Sequence, residues 1–452
     1  MTESPSKAST PPCPVSATHG LVAASGLLGM IVGICLLRQF KPFENIALAA
    51  LAIVGSAAIG VFVPDLLWQK VHRRSLSALP QTADRTRVMI KFSGLLGSLG
   101  FIAFLYWVLP EYSTSDPFYR NYWEMLRLVL PAWLIVAIPY IYWVDRRMSD
   151  PYDSLWQVGC LVTIHWENLH WGMIGQHLLG WIVKGYFLPL MFVDMCGNLG
   201  NVLSYEFEQS HNFQQWYEFA FQTIFFVDVG LVSMTYLMTL RLTDTHIRSS
   251  EPTMFGWAMT LICYQPFMSL VMRQYFGYET GNKWGDWISS DTWLYPTWGS
   301  LILLLLAIYL WATIAFGGRF SNLTHRGIIT NGPYRYSKHP AYITKNLSWW
   351  LISMPFMMTT SVADAIRHCI LLLMVNAIYY LRAKTEERHL WLDPVYVEYA
   401  AWIDAHGLLR FINHVPLIGE IARWRPEFGQ RPLSWVWTTD ISRKQVVLPD
   451  NS

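Results

Sequence analysis

The residues best able to do chemistry lie between Gly327 and Tyr399. The first group reads Thr330-Asn331-Gly332-Pro333-Tyr334-Arg335-Tyr336-Ser337-Lys338-His339-Pro340-Ala341-Tyr342. Two apolar segments follow, separated by a few residues around Thr359–Ser361. The chain then returns with Lys384-Thr385-Glu386-Glu387-Arg388-His389 and continues as Asp393-Pro394-Val395-Tyr396-Val397-Glu398-Tyr399. A helical hairpin that starts and ends on one membrane face brings its two ends together. His339 and Glu386, 47 positions apart, are therefore expected to meet at the membrane boundary. A cationic, aromatic loop then faces a carboxylate pair. Carboxylates hold ribose hydroxyls or an ammonium group, aromatic rings stack on adenine or face a sulfonium cation, and backbone amides near Gly332 reach a carboxylate. Taken one at a time these residues have plainer uses. Tyr336 and Arg335 are common membrane-interface anchors, His339 before Pro340 can cap a helix, and Glu386-Glu387 can be a solvated face. Only the joint pattern points to a site.

The elements that must position these groups are membrane helices. Residues of the AVILMFWYC set make up 53% of the 452-residue chain and charged residues 14%, against roughly 25% charged in ordinary globular chains. The mean hydropathy is +0.26. This composition excludes a disordered protein, a collagen-like fibre, a disulfide scaffold and a nucleic-acid binder. Six widely spaced cysteines with no CxxC pair make neither a disulfide nor a zinc framework. A helix needs about 20 apolar residues to cross a bilayer, and ten stretches qualify: 19–37, 45–68, 92–109, 126–144, 171–195, 217–240, 256–273, 293–316, 341–357 and 364–382. The seventh, ninth and tenth carry the weakest signal. Loops 69–91, 145–153, 241–252 and 317–340 hold fourteen Lys and Arg, against four in the alternate loops. That asymmetry places both termini in the cytoplasm.

The pattern GPYRYxKHPxY, a hydrophobic hairpin, then EER and DPxYxxY resembles the isoprenylcysteine carboxyl methyltransferase and phospholipid methyltransferase superfamily over about 317–415. The resemblance implies S-adenosyl-L-methionine in a pocket at the cytosolic membrane face. It implies cofactor contacts from Gly332, Tyr334, Arg335, Tyr336, His339, Pro340, Tyr342, Glu386 and Glu387. Three positions depart from the family pattern. Lys338 replaces the usual Arg before His-Pro and loses its planar fork. Thr344 replaces a Gly, and Ala401-Trp402-Ile403 stands where an Arg often follows the last Tyr. The chain is also similar to the sterol reductases of the lamin B receptor group in length, span number and terminal hairpin; that resemblance implies NADPH in the same pocket. Their Asn-Tyr-x-Gly-Asp loop reads Ala341-Tyr342-Ile343-Thr344-Lys345 here.

Methyl transfer from a sulfonium is an in-line displacement whose rate comes mostly from positioning and electrostatics. Arg388 and Lys345 are the candidates to orient an anionic acceptor, a lipid or an isoprenylcysteine-like lipidated molecule drawn from the bilayer. Upstream, Lys184, Asp194 and Asp228 are ionisable residues in or beside spans, where such groups are costly and often functional. Lys184 and Asp228 are expected to pair across the bundle, as a structural ion pair or as part of a headgroup or proton path. His165, Glu167, His170 and His177 cluster around 154–177, a segment expected to lie at the interface between Trp166 and Trp171. Metal ligation by them is disfavoured, and no metal is assigned. Loop 205–211, with Tyr205, Glu206, Glu208 and His211, is given no role. The sequence thus describes an all-α polytopic membrane protein: a disordered tail over 1–18, an N-terminal bundle over 19–292, a cofactor-binding core over 293–415 and an interfacial tail over 416–452. A transporter or membrane scaffold is the reading from a different class. Oligomeric state is not legible.

Overall fold

The computed structural model describes residues 12–77, 82, 84–206, 212–279, 281–357, 361–411 and 418–424. Its frame is helical: α1 (Gly20–Phe40), α2 (Ile46–Leu67), α3 (Arg85–Val108), α4 (Arg120–Asp145), α5 (Ser154–Val162), α6 (Trp171–Ser204), α7 (Phe213–Leu237), α8 (Met254–Leu261), α9 (Leu294–Ile314), α10 (Pro340–Ser353), α11 (Val362–Leu390) and α12 (Pro394–His406). Polar residues start many of these helices by accepting from their free N–H groups. Asn45 caps α2, Asp84 caps α3, Asn212 caps α7, Ser361 caps α11 and Asp393 caps α12.

Eight of these helices (α1, α2, α3, α4, α6, α7, α9 and α11) are long and apolar enough to cross a membrane. The protein is an all-α, multi-pass membrane protein. Large apolar side chains point outward, as with Ile135 on α4, 77% exposed; in a bilayer that surface is solvated by lipid. Two of the ten expected spans are not single long helices. The seventh breaks after α8, because Pro266 has no N–H to continue the ladder, and helix resumes only near Met268–Arg273. The ninth is α10, 14 residues or about 21 Å of rise. It stops at Met354, in the left-handed region with φ 41°, immediately before Pro355. The tenth expected span is longer than its apolar part. α11 runs on to Leu390 and carries Glu386, Glu387 and Arg388 on the same rigid rod.

The bundle core lies among α1, α2, α6 and α7, around Met30, Ile53, Phe192, Met195, Phe226 and Met234. α1 and α2 pack at backbone distance: a Cβ on Gly29 would stand 2.4 Å from the Ser56 carbonyl oxygen. Small residues allow this approach where no hydrophobic drive favours helix association. The segment expected at the interface forms α5 and a 3-10 turn at Trp166–Asn168, with Trp166 and Trp171 exposed.

Backbone pairing and the N-terminal segment are among the ties that join the bundle to the C-terminal core. Ser249–Ser250 and Thr324–His325 pair as a short antiparallel ladder, with Ser249 opposite His325. The N-terminal segment forms another. Residues 12–18 of the tail expected to be disordered are held against the core loop, and residues 1–11 lie outside the described residues. Ala17 N–H donates to the Ile328 carbonyl (2.8 Å), Thr330 Oγ1 to the Pro14 carbonyl (2.7 Å) and Asn331 Nδ2 to the Thr18 carbonyl (2.7 Å). This Ser- and Pro-rich stretch holds its path by hydrogen bonds together with burial of Thr18 and packing of Cys13 against the Ile328–Tyr399 cluster. Glu208 and His211 of the acidic loop, and most of the 416–452 tail, lie outside the described residues.

Candidate active site

The loop between α9 and α10, the end of α11 and the start of α12 line a cavity that is partly open to solvent. Local sequence sets the loop's shape. Gly332 adopts φ +56° against Trp311 and Ala315, a conformation that favours glycine. Pro333 then opens a 3-10 turn over Gly332–Arg335. His339 takes the N-cap position of α10 and Pro340 its first turn, where a missing N–H costs nothing. Tyr399 of α12 pins the loop by donating to the Tyr334 carbonyl at 2.6 Å, which gives the DPxYxxY element a structural purpose.

The expected meeting of the hairpin ends takes place. His339 Nε2 lies 3.0 Å from Glu387 Oε1, and Lys384 Nζ donates to Glu387 Oε2 at 3.0 Å. The Tyr342 hydroxyl donates to Glu386 Oε1. The His339 and Tyr342 rings stack with centroids 5.6 Å apart. Arg382 stands over the Tyr342 ring, 5.1 Å from its centroid, with Nε 3.5 Å from Glu386 and Nη2 donating to Asn322 at 2.7 Å.

The two carboxylates differ in kind. Glu386 lines the cavity and its side chain is 28% exposed. Glu387 does not line it and is 5% exposed, clamped between His339 and Lys384. Among the sequence candidates, Tyr334, His339, Tyr342, Lys345 and Glu386 line the cavity. Gly332 and Pro340 shape the loop without lining it, and Arg335 and Tyr336 are exposed outside it. Arg388 turns away: its Nη2 donates to Glu251 Oε1 at 2.8 Å and to Thr253. Lys345 stays in the wall, its Nζ 5.1 Å from the Tyr309 ring centroid and 5.7 Å from that of Trp349.

Several cavity residues carried no signal in the sequence. Glu251 and Tyr264 come from upstream of the core, and Tyr309 and Thr313 from α9. Burial raises the Glu251 carboxyl above its ordinary range. His325 also lines the wall, 3.2 Å from Asp393. Burial lowers its imidazole to about 4, with Asp393 opposing the shift. A helical reading of 382–390 would have grouped Arg382, Glu386 and His389 on one face of α11. Nothing local marks Glu251 or His325, because the β ladder brings them in.

The upstream ionisable residues are arranged differently from expectation. Lys184 and Asp228 do not pair. Lys184 Nζ stands 3.7 Å from the Trp181 ring centroid. Asp228 accepts from the Tyr309 hydroxyl at 2.5 Å and from Thr313 Oγ1 at 2.6 Å. The four residues around 165–177 form no common site. His177 contacts Ser98 (2.8 Å) and Ser154 (3.2 Å), and His165 contacts Thr163. Among the described residues no group of His, Cys, Asp and Glu could hold a metal ion.

No curated protein and no solved structure matches the chain. Residues 300–392, which supply most of the cavity wall, match the isoprenylcysteine carboxyl methyltransferase (ICMT) family, and this part of the chain is a domain of that type.

Proposed function

We propose that the protein is a membrane-embedded methyltransferase that uses S-adenosyl-L-methionine and modifies a lipid or lipidated acceptor drawn from the bilayer. The observation that carries this reading is the joining of His339, Tyr342 and Glu386 at one cavity wall within the matched domain. The residues present fit the cofactor. Glu386 commits Oε1 to Tyr342 and keeps its second oxygen for a ribose hydroxyl or an ammonium group. The rings of Tyr334, Tyr342, Tyr396 and Tyr399 offer faces for adenine and for a cation. When bound, the cofactor supplies an electrophilic methyl on sulfur. The chain's own part is to hold and orient. Glu387 and Lys384 fix the His339 ring, Tyr399 fixes the loop, and the aromatic walls exclude water. Arg382 balances the charge of Glu386. Lys345, an ammonium inside the bundle end of the cavity, faces the acceptor. We place the cavity loop and both termini on the cytoplasmic side, following the charge asymmetry of the loops.

The test is calorimetry on the purified protein, titrated separately with S-adenosylhomocysteine and with NADPH. Binding of the first, lost in His339→Ala, is the expected result. Binding of NADPH alone would move the protein to reductase chemistry, and binding of neither would overturn an enzymatic reading of the cavity.

A further inference from the structure

Gly327, Ile328 and Ile329 line the cavity, and the chain from Ile328 to Asn331 is bonded to the N-terminal segment 13–18. The Ala17 N–H donates to the Ile328 carbonyl at 2.8 Å and the Thr330 N–H to Ser16 Oγ at 3.2 Å. Thr330 Oγ1 donates to the Pro14 carbonyl and Asn331 Nδ2 to the Thr18 carbonyl, both at 2.7 Å. The segment is anchored at both ends. Cys13 packs against a cluster that includes Ile328, Tyr396 and Tyr399, and all three of these line the cavity. Thr18 is 1% exposed. Its hydroxyl donates to the Phe316 carbonyl at 3.0 Å and accepts from Arg319 Nη1 at 2.9 Å. Arg319 lines the cavity as well, and Asp65 and Asp244 hold it at 3.5 Å each. Between the two anchors Val15 is exposed.

The loop needs this support. The ladder of the loop ends at His325, and beyond it the chain has only the 3-10 turn Gly332–Arg335 before α10. This stretch carries Tyr334 and His339 into the cavity. Irregular chain keeps one shape only where its backbone groups find partners. For the Ile328 carbonyl and the Thr330 N–H those partners are Ala17 and Ser16. With the segment away, the same groups turn to water and the loop gains conformations. A ligand must then order the loop as it binds, which lowers affinity. With the segment seated, that ordering is already complete. The Ser249–His325 ladder already joins bundle to core, so joining alone does not call for the contacts of a second tie to concentrate on the cavity wall. A segment held largely by hydrogen bonds near the surface also opens more readily than the bundle around it.

We infer that segment 13–18 is a working part of the cofactor site: it preorganises loop 326–334 from behind, so that a seated segment and an occupied cavity favour each other. The inference rests on the methyltransferase reading of the same cavity and adds how that site is kept in shape. Ser16 and Thr18 do not line the cavity. They are positioning residues, Ser16 acting through Thr330 and Thr18 through Asn331 and Arg319. Coupling of this kind is reciprocal. The factor by which the seated segment raises ligand affinity is the factor by which the ligand favours the seated segment.

The experiment uses the full chain in detergent with S-adenosylhomocysteine as the probe, and reads both directions of the coupling. In the wild type, hydrogen exchange is followed by mass spectrometry in the peptide covering 12–19. Saturation with the probe should slow it by about 5-fold or more, while exchange in the turn 113–118, none of which lines the cavity, stays the same. Calorimetry then compares variants. Thr18→Val and the double variant Ser16→Ala/Thr330→Val should each bind the probe about 10-fold more weakly. Thr18→Ser and Thr330→Ser keep the hydroxyls and should bind close to wild type. A purely structural tether can lower the melting temperature when cut, but it does not respond to the ligand. Binding of the probe to the wild type without slower exchange in 12–19 overturns the inference and leaves the methyltransferase reading standing. Wild-type affinity in both variants does the same. If Thr18→Val fails to fold, the double variant and the exchange measurement on the wild type still decide. Failure of the probe to bind the wild type strikes the methyltransferase reading itself, and the inference falls with it.

Discussion

Adjacent carboxylates with opposite duties give the sharpest test of the cavity. Glu387 is 5% exposed and lies 3.0 Å from each of two partners, the His339 ring and the Lys384 ammonium. Glu387→Gln keeps the shape and removes the negative charge that faces the buried Lys384 ammonium. Breaking a buried pair from one side costs roughly 3–5 kcal/mol; the amide oxygen keeps one hydrogen bond, so the low end of that range applies. Glu386 is 28% exposed and 3.5 Å from Arg382, with its second oxygen free for a ligand. Its charge contributes less to folding and more to binding. Charge-assisted hydrogen bonds of this kind are worth roughly 1.5–3 kcal/mol, or about a 10- to 100-fold loss of affinity. Both variants are to be measured in detergent by thermal unfolding and by calorimetry with S-adenosylhomocysteine. Glu387→Gln should lose melting temperature first, by several degrees, and Glu386→Gln should lose affinity first. A Glu387→Gln protein that melts like wild type, or a Glu386→Gln protein that binds like wild type, would refute this division of labour.

The seam between bundle and core makes two further predictions. Arg388→Ala strands Glu251, 2% exposed and 2.8 Å from the lost guanidinium; it should destabilise by roughly 3–5 kcal/mol, and adding Glu251→Gln should recover part of the loss in a double-mutant cycle read by thermal unfolding. His325 is held neutral by burial, its pKa lowered from 6.5 to about 4. The unfolded chain binds that proton more readily, so stability is complete above pH 6.5 and is lost as pH falls towards 4, by about 3 kcal/mol at most. His325→Gln should flatten the melting temperature against pH across that window.

The sequence made the C-terminal chemistry visible because its parts are punctuated locally. Gly332, Pro333 and Pro340 mark a turn and a helix start, and a hairpin returns the chain to its origin whatever its sidedness. That reasoning placed His339 against the Glu386-Glu387 pair, now seen as the His339–Glu387 contact. It did not separate the two carboxylates. Which of two neighbours on a helix faces a cavity depends on helix rotation, fixed here by Arg382 and Lys384 packing one turn earlier. Apolar composition and helical continuity part ways at Pro266 and Pro355, so two of the expected spans are broken or short helix. Counting charges treated all Lys and Arg in the loops as surface groups. Arg319 and Arg326 are 2% exposed and serve the interior, Arg319 against Asp65 and Asp244 and Arg326 through backbone carbonyls. Lys91, counted with a loop, sits inside α3 on Asp145 at 2.9 Å.

These misplacements share a cause that bears on function. Long-range contacts between bundle and core bring together residues that no local pattern relates. Glu251 holds Arg388 at the end of α11, Tyr236 anchors Asn322 in the cavity wall at 2.9 Å, and Asp228 fixes Tyr309 and Thr313. All three anchors lie upstream of the matched segment 300–392. The α10–α11 hairpin shapes the end of the cavity around Glu386, whereas Asp228 of α7 holds the two α9 hydroxyls at the opposite end. A chain cut to residues 300–392 would lack all three anchors, and with them the contacts that hold Tyr309, Thr313, Asn322 and Arg388 in place.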